Sequence, residues 1–286
     1  MQTQTYCIYS GKNINKTESS VEHIIPLSLG GSDDFIINVN RNLNSIAGSK
    51  IDGKMANDFL VKMNAIKNDF RGHSRKEPIL KIKKAKIGDS PVSVHFKKSG
   101  LEMFDPIKKE YIKHPGSVEM QTSLDLEIRI KFISKVVLAA GYFIYGETFV
   151  KFADHNSLRK VVFSENLKNE KLKGIKFYDN LHPVKERDKG LHLLEVQHMK
   201  YLKGSSVTFI LSNVNIIAHV GLGGIYIGTV NFKASTKMFP NDAEYRLGKV
   251  LVCKDGVLYQ DSYWNSIYKM NKVLGIVEID DSKLDI

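Results

Sequence analysis

Residues 22–26 read Glu-His-Ile-Ile-Pro and set a carboxylate directly beside an imidazole. These two groups suit the hydrolysis of a phosphodiester. That reaction needs a divalent cation to neutralise the phosphate and steady the departing oxygen, and a base to take a proton from water. Histidine titrates near neutrality, so His23 is a candidate base. Glu22 offers the hard oxygen that magnesium or manganese prefers. Neighbours on a strand point to opposite faces, so the pair must stand at a strand end where the backbone turns. Pro26 and the paired Gly30-Gly31 supply a turn just beyond it.

The elements that must hold this pair are partly visible. Residues 4–9 and 20–25 are β-prone, and a helix can start near Arg41. A helical stripe of Ile51, Met55, Phe59, Met63, Ile66 and Phe70 follows at spacings of three and four. Residues 72–78 form a charged linker ending in Pro78, which places a boundary between a domain 1–77 and a domain 78–286. Beyond it, residues 79–83 and 91–96 read as strands, and an apolar run at 124–145 as a buried helix from about Ile130. Residues 168–190 read as a polar loop. Strand texture then dominates at 191–197, 207–211, 214–220, 225–232 and 249–259, the last bent at Asp255-Gly256, before a closing helix at 261–273. The expected class is α+β, with a β-rich C-terminal half. Gly221-Leu222-Gly223-Gly224 lacks the spacing of a phosphate-binding loop and is expected to be a turn or bulge.

The stretch 6–53 resembles the HNH endonuclease family, in the branch that reads Glu-His-Ile-Ile-Pro followed by Leu29-Gly30-Gly31. The resemblance implies a ββα-metal fold in which a hairpin and a helix grip one metal ion. Carried over by position, His23 is the general base and Glu22 a metal ligand. Asn38 becomes the central asparagine that braces the hairpin and orients the histidine. Asn44 takes the place of the final histidine as second ligand, and Lys50 is a weaker candidate for a phosphate contact. One Mg2+ or Mn2+ per site is implied. Relatives of this branch carry two Cys-x-x-Cys pairs around a structural zinc. Here the first pair reads Cys7-x-x-Ser10, and the second holds Asn40 and Leu43. A single thiol cannot close a tetrahedral site, so no structural zinc is expected. Packing around Ile8, Leu29, Leu43 and Ile46 is expected to replace it. Asp52 reads as a cap or surface residue, and the histidines outside the motif, His73 and His219 among them, as structural or solvated.

The bulk properties agree with a nucleic-acid partner. The chain carries a formal net charge of +11. Its first 77 residues hold 10 basic and 8 acidic side chains, so most of the excess lies beyond them. Lys81, Lys83 and Lys84 could track DNA leaving the site, although charged linkers are as often merely solvated. Only two cysteines occur, which fits a reducing cytoplasm. No apolar run has the length of a membrane span. The sequence leaves the number of copies open, a dimer included. The leading expectation is a DNA endonuclease of restriction, phage defence or a mobile element. Its rivals are a DNA-binding protein with an inactive HNH relic, and a nuclease gated by a ligand-sensing second domain.

Overall fold

The computed structural model describes residues 4–87, 90–113, 122–170, 172–179, 181 and 189–276; His114 and His182 lie outside them. The chain opens with a hairpin of β1 (Gln4–Cys7) and β2 (Lys12–Asn15). A second hairpin joins β3 (Ser19–His23) to β4 (Ile36–Asn40), with Val21 opposite Asn38 and His23 opposite Ile36. α1 (Arg41–Ala47) follows at once, because the Asn40 side chain accepts from the free N–H groups of Asn42 and Leu43. The backbone stays helical through a wider turn (Gly48–Asp52) and the short α2 (Gly53–Met55). The single helix expected over 51–70 is broken here. Asp58 turns extended and caps α3 (Phe59–Asn68) through Val61 N–H, so a capping carboxylate interrupts the apolar stripe.

Four strands then form a separate antiparallel sheet: β5 (Leu80–Ile87), β6 (Ser90–Lys97), β7 (Gly100–Asp105) and β8 (Glu110–Ile112). It has its own small core of Val92, Val94 and Met103. α4 (Leu126–Phe152) and α5 (His155–Phe163) pack together, α4 bending where Gly146 leaves helical geometry. Next come β9 (Ile175–Asp179), α6 (Lys189–Leu202), β10 (Ser205–Leu211), β11 (Asn215–Leu222), β12 (Ile225–Lys233), β13 (Gly248–Lys254), β14 (Val257–Ser262) and α7 (Tyr263–Val273). The strands make one antiparallel sheet in the order β14-β13-β10-β11-β12-β9. The Gly223-Gly224 turn joins β11 to β12 with both residues at positive φ, and a register shift sits at Val220/Gly221. That matches the expected turn and bulge.

Two further expectations fail. Residues 175–179, read as part of a polar loop, form strand β9 at the edge of the large sheet. Residues 191–197 belong to helix α6, not to a strand. Their alternating leucines imitate a strand, while the buried side of the helix is formed by Glu195, His198 and Met199. A polar buried face carries no apolar period for sequence reading to find.

The large sheet has two different faces. Val207 and Phe209 of β10, Ala218 and Val220 of β11 and Val230 and Phe232 of β12 join the main core with Phe132, Val136 and Val137 of α4. Ser206, Thr208, His219 and Thr229 occupy the alternate positions, where Met199 of α6 meets Ser206. The same apolar core takes in Ile8, Ile24, Leu29, Phe35 and Val39 of the N-terminal hairpins. Residue 77 falls between α3 and β5, and the core continues across that point. Each such aliphatic or aromatic side chain contributes about 1.5–3 kcal/mol on burial, so this shared packing fixes the hairpins against α4. Among the described residues no helix is long and apolar enough to cross a membrane.

Candidate active site

β3 ends at His23, and the alternation along it separates Glu22, which is buried, from Val21 and His23, which face outward. The turn beyond it is built by Pro26 and the glycines. Gly30 has φ 81°, and a Cβ on Gly31 would strike the Ile25 carbonyl oxygen at 1.8 Å. Side chains at either position would open the loop that returns the chain to β4.

A cleft of about 240 Å³ lies beside this strand end, lined by Glu22, His23, Asn44, Asp52, Ser28 and His73 among others. His23 Nε2 lies 2.9 Å from Asp33 Oδ1, and its ring meets His73 edge-on at 5.2 Å. Asn44, on α1, donates both amide hydrogens at 2.9 Å, to Ser20 Oγ and to the Val21 carbonyl. Its own carbonyl oxygen is thereby left for the cleft. Glu22 accepts from the Tyr9 hydroxyl at 3.1 Å and is ion-paired with Lys135 of α4. Lys135 also reaches Asp52 Oδ2 at 2.9 Å and the carbonyls of His23 and Ile24 at 3.2 and 3.4 Å. Asp52 Oδ1 is buried without a hydrogen-bond partner.

The electrostatics follow from burial. Loss of water pushes the Asp52 carboxyl up to about 6; Lys135 draws it back down and Glu22 pushes it further up. Burial alone would lower the Lys135 ammonium, but the two carboxylates outweigh it and hold it above its ordinary value. The lysine therefore stays charged at neutral pH.

Glu22, His23 and Asn44 are thus brought together. Asn38 is not. It lies exposed on β4 opposite Val21, and the side-chain bond to the His23 ring comes from Asp33. Lys50 is exposed on the wide turn, and Lys81 and Lys83 are exposed on β5; none of the three lines the cleft, and the side chain of Lys84 is not described. Ile46, expected in the packing that replaces zinc, is 39% exposed, whereas Ile8 and Leu29 are fully buried. Cys7 Sγ accepts instead from the backbone N–H groups of Ser10 at 3.3 Å and Asn40 at 3.1 Å, tying together the two places where the cysteine pairs would stand.

Residues 7–60 match the HNH endonuclease family. No curated protein and no solved structure matches the chain. HNH nucleases use a divalent metal in general. Among the described residues no group of three or more His, Cys, Asp or Glu side chains forms a ready metal centre. The oxygens of the HNH segment nevertheless fit a hard divalent cation: two carboxylates and an amide carbonyl line the cleft, and Asp52 Oδ1 is an orphaned acceptor.

Sequence reasoning passed over four members of this neighbourhood. Asp52 read as a cap or surface residue but is buried in the ion pair. His73 read as structural or solvated, and Asp33 received no role. Lys135 lay inside an apolar run, and there a signal existed: a lysine in a buried helix needs a partner of opposite charge.

Proposed function

We propose that this chain is a metal-dependent DNA endonuclease that hydrolyses phosphodiester bonds with His23 as general base. The observation that supports it is the meeting of His23 with Glu22, Asn44 and Asp52 in one cleft, within the segment that matches the HNH family. A divalent cation, Mg2+ or Mn2+, would neutralise the phosphate and stabilise the departing oxygen when bound. Glu22 and Asn44 are the residues proposed to hold it, with Asp52 beside them. Asp33 accepts the Nε2 proton of His23, fixing the ring and leaving Nδ1 as the basic nitrogen that removes a proton from water. Asn38, off the cleft on β4, is left the role of bracing the hairpin.

Cutting is assigned to 1–77 and target recognition or regulation to 78–286, where most of the positive charge lies. Lys50, Lys81, Lys83 and Lys84 are kept as weak candidates for phosphate contacts. The resemblance supports a setting in restriction, phage defence or a mobile element, and the cysteine usage a cytoplasmic one. Incubation of supercoiled plasmid with the full chain tests the reading. Nicked or linear product is expected with Mg2+ or Mn2+ and none with chelator. Intact plasmid under every metal condition would favour the inactive relic.

A further inference from the structure

Both acidic side chains of the cleft converge on one cation that the chain supplies from elsewhere. Lys135 stands on α4, far outside the matched segment, with its side chain fully buried. Its Nζ faces four oxygens: Glu22 Oε1, Asp52 Oδ2 and the carbonyls of His23 and Ile24. Taking an ammonium out of water is unfavourable, and an apolar side chain of the same volume would fill the space without that cost. The charge is therefore explained by what it holds. A second buried pair provides the contrast. Arg129, two turns earlier on α4, grips Asp58 through two hydrogen bonds of 3.0 and 2.8 Å and likewise ties α4 to the N-terminal segment. Asp58 does not line the cleft of His23 and also caps α3, so that pair joins the segments away from the site.

We propose that Lys135 is a positioning residue of the cutting site, whose ammonium holds Glu22 and Asp52 in place and ties down the backbone on either side of the base. The HNH segment is then complete only when α4 is packed behind it. This rests on the nuclease reading above and adds a residue to it. Residues that orient metal-binding side chains commonly change affinity or rate by about ten- to a hundredfold when removed.

Lys135→Met alone leaves two buried carboxylates opposed and can fail to fold. The decisive comparison is the full-length double variant Lys135→Met with Asp52→Asn against Asp52→Asn alone. Plasmid nicking, Mn2+ calorimetry without DNA and circular dichroism are measured on each. The expected result is a folded double variant whose kcat is about tenfold or more below that of Asp52→Asn. Its Mn2+ dissociation constant should rise by a similar factor, with the KM for DNA unchanged. A double variant equal to Asp52→Asn in rate and Mn2+ affinity overturns the proposal. So does a change confined to KM, or equal losses from Arg129→Met with Asp58→Asn, which would make Lys135 one more joint between segments. A wild-type chain that neither nicks nor binds Mn2+ overturns the nuclease reading and this proposal with it. A wild type that nicks beside an equally active double variant overturns this proposal alone.

Discussion

Two histidines of this protein stand close to a glutamate, and their surroundings make opposite use of them. His23 opens onto a cleft, its ring bonded to an exposed Asp33, and its neighbour Glu22 is balanced by the buried cation of Lys135. His219 lies beneath α6 at 1% exposure, with Nδ1 2.6 Å from Thr229 Oγ1. Its Nε2 is 3.4 Å from Glu195 without meeting it in a hydrogen bond. Burial pushes Glu195 up to about 7 and His219 down to about 3, so near neutrality the histidine is uncharged and the acid is half neutral. Composition alone would rank the two pairs equally. Water and a counter-charge separate them: His23 opens onto the cleft while Lys135 balances the buried Glu22, and His219 with Glu195 forms a polar patch adapted to burial.

The largest expected effect tests that distinction directly. His23→Ala should lower plasmid nicking by about a hundred- to ten-thousandfold, the usual cost of losing a general base, with the fold intact. His219→Ala should leave the rate within a few-fold of wild type. It should instead lower thermal stability, by about 2 kcal/mol, because it opens a hole beneath α6 and removes one of the bonds of the buried Thr229 hydroxyl, which keeps Tyr226. A folded His219→Ala protein as inactive as His23→Ala would end the comparison.

The next effect sharpens the role of the cleft oxygens. Glu22→Gln and Asn44→Ala should each raise the Mn2+ needed for half-maximal nicking by about tenfold, since each weakens one oxygen donor of a site that has few. DNA affinity measured without metal should not change. A lower rate at an unchanged metal requirement would show that these side chains only brace β3 against α1.

The same contrast explains what the sequence could and could not reveal. Glu22 and His23 were legible from their chemistry at a strand end beside a glycine turn, and Asn44 from its position in the HNH resemblance, all within 23 residues. The strands of the large sheet were legible from their apolar alternation, β9 excepted. Asp33 was not, because its role arises from a contact with His23 that no local pattern encodes; Lys135, inside an apolar run, signalled a need for an acidic partner but not which acids it would meet. Asn38 was assigned by position in the motif; the β3–β4 register sets it opposite Val21, outside the lining of the cleft, and the bond to the His23 ring comes from Asp33. α6 was misread for a related reason. Its inward face is Glu195, His198 and Met199, and only a buried polar patch on the sheet makes such a face sensible.

That patch yields the smallest effect, and it has a defined sign. His198 and His219 are held by burial at about 4 and about 3, below the ordinary 6.5, so the unfolded chain binds their protons first. Their contribution to stability is present above about 6.5 and is lost as pH falls, by about 1.4 kcal/mol per pH unit for each histidine. Glu195 runs the other way. Its ordinary value of 4.5 is raised to about 7, so between those values the folded protein keeps a proton that the unfolded chain gives up. Its contribution is present below 4.5 and lost as pH rises through 7. Around this patch stand Tyr226 and Tyr263, both raised far above neutrality by burial, so neither titrates in the window. Glu195→Gln removes the opposing term. The variant should gain on wild type as pH rises from 4.5, levelling near a difference of about 3 kcal/mol above pH 7, and its loss of stability in acid should be steeper. Denaturant unfolding of both proteins from pH 4.5 to 8 measures the difference. A constant offset across that range would mean that Glu195 ionises as an ordinary glutamate, and that the patch beneath α6 is wetter than its burial implies.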